Sequence, residues 1–232
     1  MKLELHYFEG CPGHPPLRDM ARDVLAAFGI QGGLEEINVD SPERAQSLAF
    51  KGSPTLLIDG RDLEDRTDAI HGLGCRVYDG KPVPEKWLVE AAVLRALKPR
   101  KILFMCVQNS ARSQLAEAIA RCLAPPGVGV LSAGSTPAFV RPQALQVLQE
   151  AGISTEGLYS KAVDSLDPAG VEAVVTLCAE EVCPVFLGKA HRLHWGLPDP
   201  AKAEPEAAKL DAFRAVRDEL TKRFKVMLGY SL

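Results

Sequence analysis

The sequence predicts an α/β protein built from two domains, 1–98 and 99–232. Strand and helix patterns alternate along the chain, they do so in two series, and a polar segment at 97–101 separates the series. Alternation of this kind implies parallel sheets, which we expect in both domains. The length of 232 residues suits two small domains that each bury a core.

The first series contains three strands and three helices separated by turn residues. The first helix has apolar residues at helical spacing and ends at Gly29, while Ser41 followed by Pro42 is typical of a helix start. The turn pair Asp59–Gly60 opens a long loop over 60–82. The predicted strands are 2–8, 34–39 and 55–59, and the predicted helices are 15–28, 42–49 and 84–97.

The second series repeats this pattern with a more apolar interior. The run Val171–Leu177 is mostly apolar, as expected of a buried parallel strand. The last helix carries Phe213, Leu220 and Phe224 on one face. The predicted strands are 102–105, 128–133 and 171–177, and the predicted helices are 112–123, 141–151 and 204–228.

Composition excludes several classes of partner. The formal net charge is −3, so no strongly basic surface indicates binding to nucleic acid or to an anionic membrane. No apolar run reaches the roughly 20 residues of a membrane span, and the N-terminus is not a signal peptide. We therefore expect a cytoplasmic protein with no nucleic-acid or membrane partner.

Six cysteines stand out in a protein expected in a reducing compartment. Cysteines in such a compartment are typically catalytic, redox-active or metal-binding rather than static disulfides. No pair of short Cys/His spacings predicts a metal centre, and His191 and His194 are interpreted as structural. Cys122, on the helix after the first strand of the second series, is expected in the core.

The segment Cys106–Arg112 has the pattern Cys-x5-Arg and lies directly between a strand and a helix. A tight loop in that position turns backbone N–H groups inward and adds the positive end of the helix dipole, which together bind a tetrahedral oxyanion. Arg112 can hold two oxygens of that anion, and the same field favours the thiolate of Cys106, the attacking form. Asn109 is expected to hold the loop and Ser113 to donate to the sulfur. The predicted oxyanion site comprises Cys106, Val107, Gln108, Asn109, Ser110, Ala111, Arg112 and Ser113.

The segment Ile102–Glu117 resembles the signature of thioredoxin-coupled arsenate reductases, which have the low-molecular-weight tyrosine phosphatase fold. Ser132–Ser135 and the pair Asp199–Pro200 fit the same resemblance, which covers about 99–200 and the last helix. It implies a four-stranded parallel sheet flanked by helices. It also implies that Asp199 is the general acid that protonates a leaving oxygen. An Asp-Pro turn with no chemistry is the alternative.

Phosphatases and reductases of this family share the loop, so residues outside it must decide between them. Ala201, Lys202 and Ala203 follow the Asp-Pro pair and offer no aromatic platform for a phenyl ring. Cys178 and Cys183 follow a buried strand, and a reductase needs two further thiols. Two packing cysteines or a metal pair remain the alternatives.

In the reductase interpretation, the three thiols act in relay. Cys178 attacks the Cys106 sulfur to release arsenite, and Cys183 then moves the disulfide to the surface. If 178–183 is helical, the two Cα atoms lie roughly 8–9 Å apart, whereas a disulfide needs about 4.4–6.8 Å. The segment is therefore predicted to unwind on oxidation and expose its disulfide to a thioredoxin-like reductant.

The first domain resembles a thioredoxin-like domain. Cys11-Pro-Gly-His14 follows the first strand, and Pro54 precedes the third strand, where that fold has a cis proline facing the active cysteine. His14 stands where the second cysteine of Cys-x-x-Cys is expected, and Cys75 in the long loop is another candidate partner. The domain is a fused electron donor, a thiol site for soft species such as arsenite or mercury, or a redox-inactive packing or dimerisation module.

Taken together, the sequence predicts an arsenate reductase that uses arsenate as substrate and takes reducing equivalents from thioredoxin or the fused domain. No tightly bound cofactor or metal is predicted. The alternatives are a low-molecular-weight protein tyrosine phosphatase and a thiol-based protein that binds or senses metalloids.

Overall fold

The structure is a computed structural model that describes residues 1–64, 72–179 and 185–229. The chain divides into two compact units, Met1–Lys98 and Pro99–Leu228. Each unit contains its own four-stranded sheet with helices packed against it. Across these described ranges, no helix combines the length and the apolar character that crossing a bilayer requires.

The first unit alternates strands and helices until a β-hairpin interrupts the pattern. Its strands are β1 (Leu3–Tyr7), β2 (Leu34–Asn38), β3 (Thr55–Ile58) and β4 (Arg61–Asp62), and its helices are α1 (His14–Ala27), α2 (Pro42–Ser47) and α3 (Lys86–Leu97). The strand order is β2-β1-β3-β4. The side chains of Leu3 and Leu5 are buried, and α1 turns Leu17, Val24 and Leu25 into the same core.

The prediction of a parallel sheet in the first unit is wrong. Only β1 and β2 are parallel, while β3 runs antiparallel to β1 and β4 antiparallel to β3. The six residues of α2 span about 9 Å, shorter than a five-residue strand of about 17 Å, so this helix alone does not bring the chain back to the end of the sheet where β1 and β2 begin. Asp59 and Gly60 both have positive φ and close the β3–β4 hairpin inside the segment predicted as loop.

The second unit is a parallel sheet with helices on it. Its strands are β5 (Lys101–Cys106), β6 (Gly129–Gly134), β7 (Ala173–Cys178) and β8 (His191–Leu197), and its helices are α4 (Arg112–Leu123), α5 (Pro142–Glu150) and α6 (Lys209–Leu228). The order is β6-β5-β7-β8, and every adjacent pair is parallel. The expected four-stranded parallel sheet is therefore confirmed.

Three local features of the second unit differ from the sequence prediction. The strand β8 was not predicted, although its exposed and buried residues alternate as in a one-sided edge strand. The last helix begins at Lys209 rather than near 204, because the chain first forms a short 3-10 turn at Glu206–Ala208. Cys122 is exposed rather than in the core.

Both faces of the second sheet are covered. On one face, the ring of Phe104 lies 4.9 Å from that of Phe224 on α6, which also contacts Trp195. The other face carries a separate apolar cluster that includes Leu103, Met105 and Val174. These two layers fix β5 in the centre of the sheet.

The sheet reverses its strand order at the carboxyl end of β5. The next strand along the chain, β6, lies on one side of β5, and β7 lies on the other side. In open parallel sheets, ligands bind in the crevice at such a topological switch point. The sheet therefore puts Cys106, the last residue of β5, at the position where a binding site is expected.

Candidate functional site

The loop after Cys106 is held in place by backbone hydrogen bonds that its carbonyl groups accept from the segment 136–141. The carbonyls of Val107, Gln108 and Ser110 accept backbone hydrogen bonds from Thr136, Ala138 and Arg141, at 2.9, 3.1 and 2.9 Å. In a trans peptide, the C=O of one residue and the N–H of the next point in opposite directions. The N–H groups that follow these carbonyls therefore point away from the segment 136–141, as an anion nest requires.

Gly134, the last residue of β6, permits this close wrapping. A Cβ atom at this position would lie 2.4 Å from the Val107 carbonyl oxygen and 2.7 Å from the Asn109 nitrogen. Both obstacles are backbone atoms that cannot rotate away. Any side chain at position 134 would push the loop out of its observed path.

Asn109 is the hub of the loop. It is fully buried, and its φ of +46° is in the left-handed region. Its Nδ2 donates to Ser113 Oγ and Ser132 Oγ at 2.8 Å each, and its Oδ1 accepts from Gln114 Nε2 and the Lys161 backbone N–H at 2.9 and 2.7 Å. These four bonds fix a conformation that an asparagine rarely adopts without them.

A buried ion pair supports that hub from behind. The Glu117 carboxylate accepts from Lys161 Nζ at 3.0 Å and from Ser132 Oγ, and it also pairs with Arg121. The exposed side-chain fraction is 0% for Glu117 and 5% for Lys161. Because Ser132 also binds Asn109, the charged pair and the loop share one hydrogen-bond network.

Cys106 faces a polar cavity with a volume of about 290 Å³. Its Sγ lies 2.9 Å from Ser113 Oγ, so the hydroxyl expected to donate to the sulfur is within reach. The lining residues are Cys106, Val107, Gln108, Ser110, Ala111, Arg112, Arg141, Asp199, Ala201 and Lys202. The structure thus brings together six of the eight predicted loop residues around one cavity, while Asn109 and Ser113 hold the loop behind it.

Arg112 and Asp199 share one wall of the cavity and form an ion pair. Arg112 Nη2 lies 3.4 Å from Asp199 Oδ2, and Arg112 Nη1 donates to the carbonyl oxygens of Leu197 and Leu177 at 3.0 and 3.4 Å. The other Asp199 oxygen accepts from the Ala201 N–H at 3.1 Å, so Asp199 also caps the short turn Pro200–Lys202. The structural and chemical interpretations of the Asp-Pro pair are therefore compatible.

Cys178 is fully buried at the end of β7. The carbonyl of the preceding Leu177 and that of its register partner Leu197 both accept from Arg112, so the end of β7 borders the cavity wall. Cys183 lies outside the described residues, as does the part of the segment 178–183 that was predicted to unwind. The structure therefore describes two of the three predicted relay thiols.

In the first unit, the segments that carry the two predicted thiols lie near Pro54. The Ser53–Pro54 bond is cis, and a Cβ atom on Gly13, two residues after the buried Cys11, would lie 2.9 Å from the Pro54 ring. Cys75 is exposed, and its backbone pairs with Ser53 in an isolated parallel bridge. The segments that carry Cys11 and Cys75 thus flank the same proline.

His14 stands where the second cysteine of a Cys-x-x-Cys motif is expected, and its side chain makes structural contacts. Its ring stacks on Tyr7 with 3.7 Å between ring centroids, and its Nε2 lies 2.8 Å from Glu36 Oε2. Within the described parts of the chain, no group of three or more His, Cys, Asp or Glu side chains could hold a metal ion.

The sequence interpretation missed several residues of the site. Glu117 and Ser132 lie in the segments that carry the family resemblance, but no role was assigned to them. Lys161 and Arg141 are in no motif, and only the folded chain reveals that one is buried against a carboxylate and that the other lines the cavity.

Comparison with known proteins gives a consistent assignment. An arsenate reductase of Halalkalibacterium halodurans is 39% identical over 132 residues, which cover 56% of this chain and 95% of that protein. An arsenate reductase of Bacillus subtilis is 38% identical over 127 residues, covering 53% and 91%. A solved arsenate reductase from Archaeoglobus fulgidus aligns with a TM-score of 0.48 and 28% identity, covering 55% of this chain and 98% of that one. Residues 101–230 match the low molecular weight phosphotyrosine protein phosphatase family. Since this match spans more than half of the chain, the protein belongs to the low molecular weight phosphotyrosine protein phosphatase family and has relatives named arsenate reductase.

Proposed function

We propose that the domain 99–232 reduces arsenate to arsenite with Cys106 as the nucleophile. The observation that carries the proposal is the joint presence of Cys106, Arg112 and Asp199 around one cavity, with a buried thiol, Cys178, at the end of the neighbouring strand. A phosphatase needs the first three groups but has no use for the fourth. The relatives named arsenate reductase support the same choice.

The first step joins arsenate to the enzyme. The Cys106 thiolate attacks arsenic, so an As–S bond forms and one As–O bond breaks. The leaving hydroxyl takes the electron pair of that bond and a proton from Asp199, and it departs as water. Arsenic remains As(V), and the loop N–H groups with Arg112 stabilise its remaining oxygens.

The second step reduces arsenic. The thiolate of Cys178 attacks the Cys106 sulfur, an S–S bond forms, and the As–S electron pair stays on arsenic. Arsenic becomes As(III) and leaves as arsenite, while the two sulfurs are oxidised. Cys183 then attacks Cys178 and restores the Cys106 thiolate, and an external or fused dithiol supplies two electrons to the Cys178–Cys183 disulfide.

Strand register supports a direct reaction between Cys106 and Cys178. Met105 on β5 lies opposite Thr176 on β7, so the next residue, Cys106, is next to Leu177. Cys178 is one residue further along β7. With about 4.8 Å between strands and about 3.3 Å per residue, the two Cα atoms are about 6 Å apart, in the range of a disulfide. Successive side chains alternate between faces, so the backbone after Leu177 has to rearrange for the sulfurs to meet.

For the domain 1–98 we propose a thioredoxin-like fold that serves as electron donor through Cys11. The strand order, the contact of Gly13 with Pro54 and the nearby Cys75 support this assignment. Two other roles have support as well. Cys11 and Cys75 would also suit the capture of a soft metalloid. The structural contacts of His14, which stands in place of a second cysteine, are compatible with a redox-inactive module. Activity without added thioredoxin distinguishes the donor role from the other two.

A second candidate function is the hydrolysis of aryl phosphates. The specific observation in its favour is Phe139, which is 61% exposed and lies 5.1 Å from the guanidinium of the cavity residue Arg141. An exposed ring at this place could receive a phenyl group. Hydrolysis would need Cys106, Arg112 and Asp199 but would be unaffected by the loss of Cys178.

The test is arsenite formation by the purified chain with thioredoxin, thioredoxin reductase and NADPH. We expect turnover in the natural protein and in Cys122→Ser, whose thiol is exposed on α4, and none in Cys106→Ser or Cys178→Ser. Cys183→Ser should complete one round and stop. Rapid aryl phosphate hydrolysis without arsenite formation would favour the phosphatase, and tight arsenite binding without any turnover would favour a metalloid sensor.

A further inference from the structure

The cavity at Cys106 contains more positive charge than the predicted site accounts for. Besides Arg112, its lining includes the cations Arg141 and Lys202, against a single carboxylate, Asp199, in the described lining. Such an excess of cations around a reactive thiol favours anionic ligands. Neither the motif nor the proposed mechanism assigns a role to Arg141.

Arg141 is fixed relative to the oxyanion loop by its backbone. Its N–H donates to the Ser110 carbonyl at 2.9 Å, and it is the residue before Pro142, the first residue of α5. The position of its Cα is therefore set by the same hydrogen bonds that wrap the segment 136–141 around the loop. A side chain that starts from so rigid a point can bind a ligand with little loss of backbone entropy.

The guanidinium of Arg141 is only partly engaged by the protein. Its central carbon lies 5.1 Å from the centroid of the Phe139 ring. Its Nε is buried, and within the described parts of the chain that nitrogen meets no hydrogen-bond acceptor. Leaving a buried charged donor without an acceptor is costly, so an acceptor supplied by a ligand would stabilise this arrangement.

The two Nη atoms of Arg112 already contact protein oxygens. Arg112 donates to the carbonyls of Leu177 and Leu197 and pairs with Asp199. These contacts orient its guanidinium but reduce the number of N–H groups that it can turn to a substrate. A further donor would add to those of Arg112 and the loop, because a tetrahedral dianion keeps three oxygens during attack.

We propose that Arg141 is a second oxyanion-binding arginine, which donates from the mouth of the cavity to arsenate oxygens that are not displaced. This assignment rests on the proposed reductase function and deepens it. The guanidinium fork suits two oxygens of one tetrahedral anion, which a lysine in the same place could not bind in parallel. Arg141 would strengthen the binding of dianionic oxyanions in particular, without taking part in the transfer between thiols.

The experiment measures how well arsenate protects Cys106 from alkylation by iodoacetamide in the full chain, with the labelled cysteine identified by mass spectrometry. Every variant and its reference also carry Cys178→Ser, so that bound arsenate is not reduced during the assay. For each variant, including Arg141→Gln, protection is expressed relative to that variant's own alkylation rate without anion. In Arg141→Gln, the arsenate concentration that gives half-protection should rise about tenfold or more, as for the loss of a charge-assisted hydrogen bond. Arg141→Lys should lie between Arg141→Gln and the reference, because it keeps the charge and loses the fork.

The matched control is Arg214→Gln, which removes one positive charge from a surface arginine on α6 that pairs with Glu150. Its half-protection concentration should equal that of the reference. An unchanged value in both Arg141 variants would overturn the assignment while leaving the proposed function intact. If neither arsenate nor phosphate protects Cys106 in the reference, the proposed function and the assignment of Arg141 both fail.

Discussion

Replacing Asn109 by alanine tests whether one buried side chain holds the oxyanion loop in shape. The substitution removes four buried hydrogen bonds, of 2.7–2.9 Å, to Ser113, Ser132, Gln114 and Lys161. At about 1 kcal/mol net each, they contribute about 4 kcal/mol, and alanine at a positive φ adds about 1 kcal/mol of strain. Since water can replace part of the lost bonds, we expect the second unit to lose about 3–5 kcal/mol of unfolding free energy.

Urea unfolding can report this loss for the second unit alone, because each unit contains one tryptophan. With Trp87 replaced by Phe, the fluorescence follows Trp195, which is 1% exposed in the core of the second unit. For a urea dependence near 2 kcal/mol/M, Asn109→Ala should lower the midpoint by about 2 M. In the same variant, arsenate should protect Cys106 from alkylation less well.

Gln108→Ala in the same background is the control, since its side chain is exposed in the same loop. Exposed substitutions of this kind change stability by about 0.5 kcal/mol or less. If Asn109→Ala shifts the midpoint no more than this control does, the hydrogen bonds at the hub do not hold the loop and the reasoning is wrong.

Three further predictions concern the acid, a buried histidine and the first domain. Asp199→Asn should slow arsenite formation about 100-fold or more in steady-state assays, because the leaving oxygen loses its proton donor, while alkylation of Cys106 should persist. Burial lowers the pKa of His6 in the folded chain below its ordinary value of about 6.5. As the pH falls below about 6.5, the unfolded chain therefore binds a proton at His6 before the folded chain does, and the free energy of unfolding decreases. His6→Phe should therefore reduce the decrease of the urea midpoint between about pH 7 and 5. The midpoint is measured from the fluorescence of Trp87, with Trp195 replaced by Phe. An unchanged decrease would exclude His6 as the cause of the pH dependence. Cys11→Ser should lower arsenite formation only when external thioredoxin is withheld, and equal rates with and without Cys11 would rule out a fused donor.

The second unit was more predictable from sequence than the first because its signals are local. A strand, a loop with a cysteine and an arginine at fixed spacing, and a helix follow one another, and each has its own residue pattern. The direction of a strand has no such pattern. The antiparallel β3 is preceded by a short helix, α2, and the Asp59–Gly60 turn, which the sequence indicates only as the end of a strand, closes the β3–β4 hairpin.

The support behind the site could not be predicted for a different reason. Lys161 and Glu117 are charged, and charged residues are usually exposed, so their burial against each other appears only when the chain is folded. Arg141 likewise enters the cavity through the path of the segment after β6 rather than through any motif. The sequence identifies the residues that react, whereas the fold identifies those that hold them.

Disulfide mapping by mass spectrometry after a single arsenate turnover tests the thiol relay most directly. The relay predicts a bond between Cys178 and Cys183 in the natural protein and a trapped Cys106–Cys178 bond in Cys183→Ser, each formed with one equivalent of arsenite. Arsenite release with Cys178 still reduced, or arsenate consumption with no disulfide at all, would contradict it.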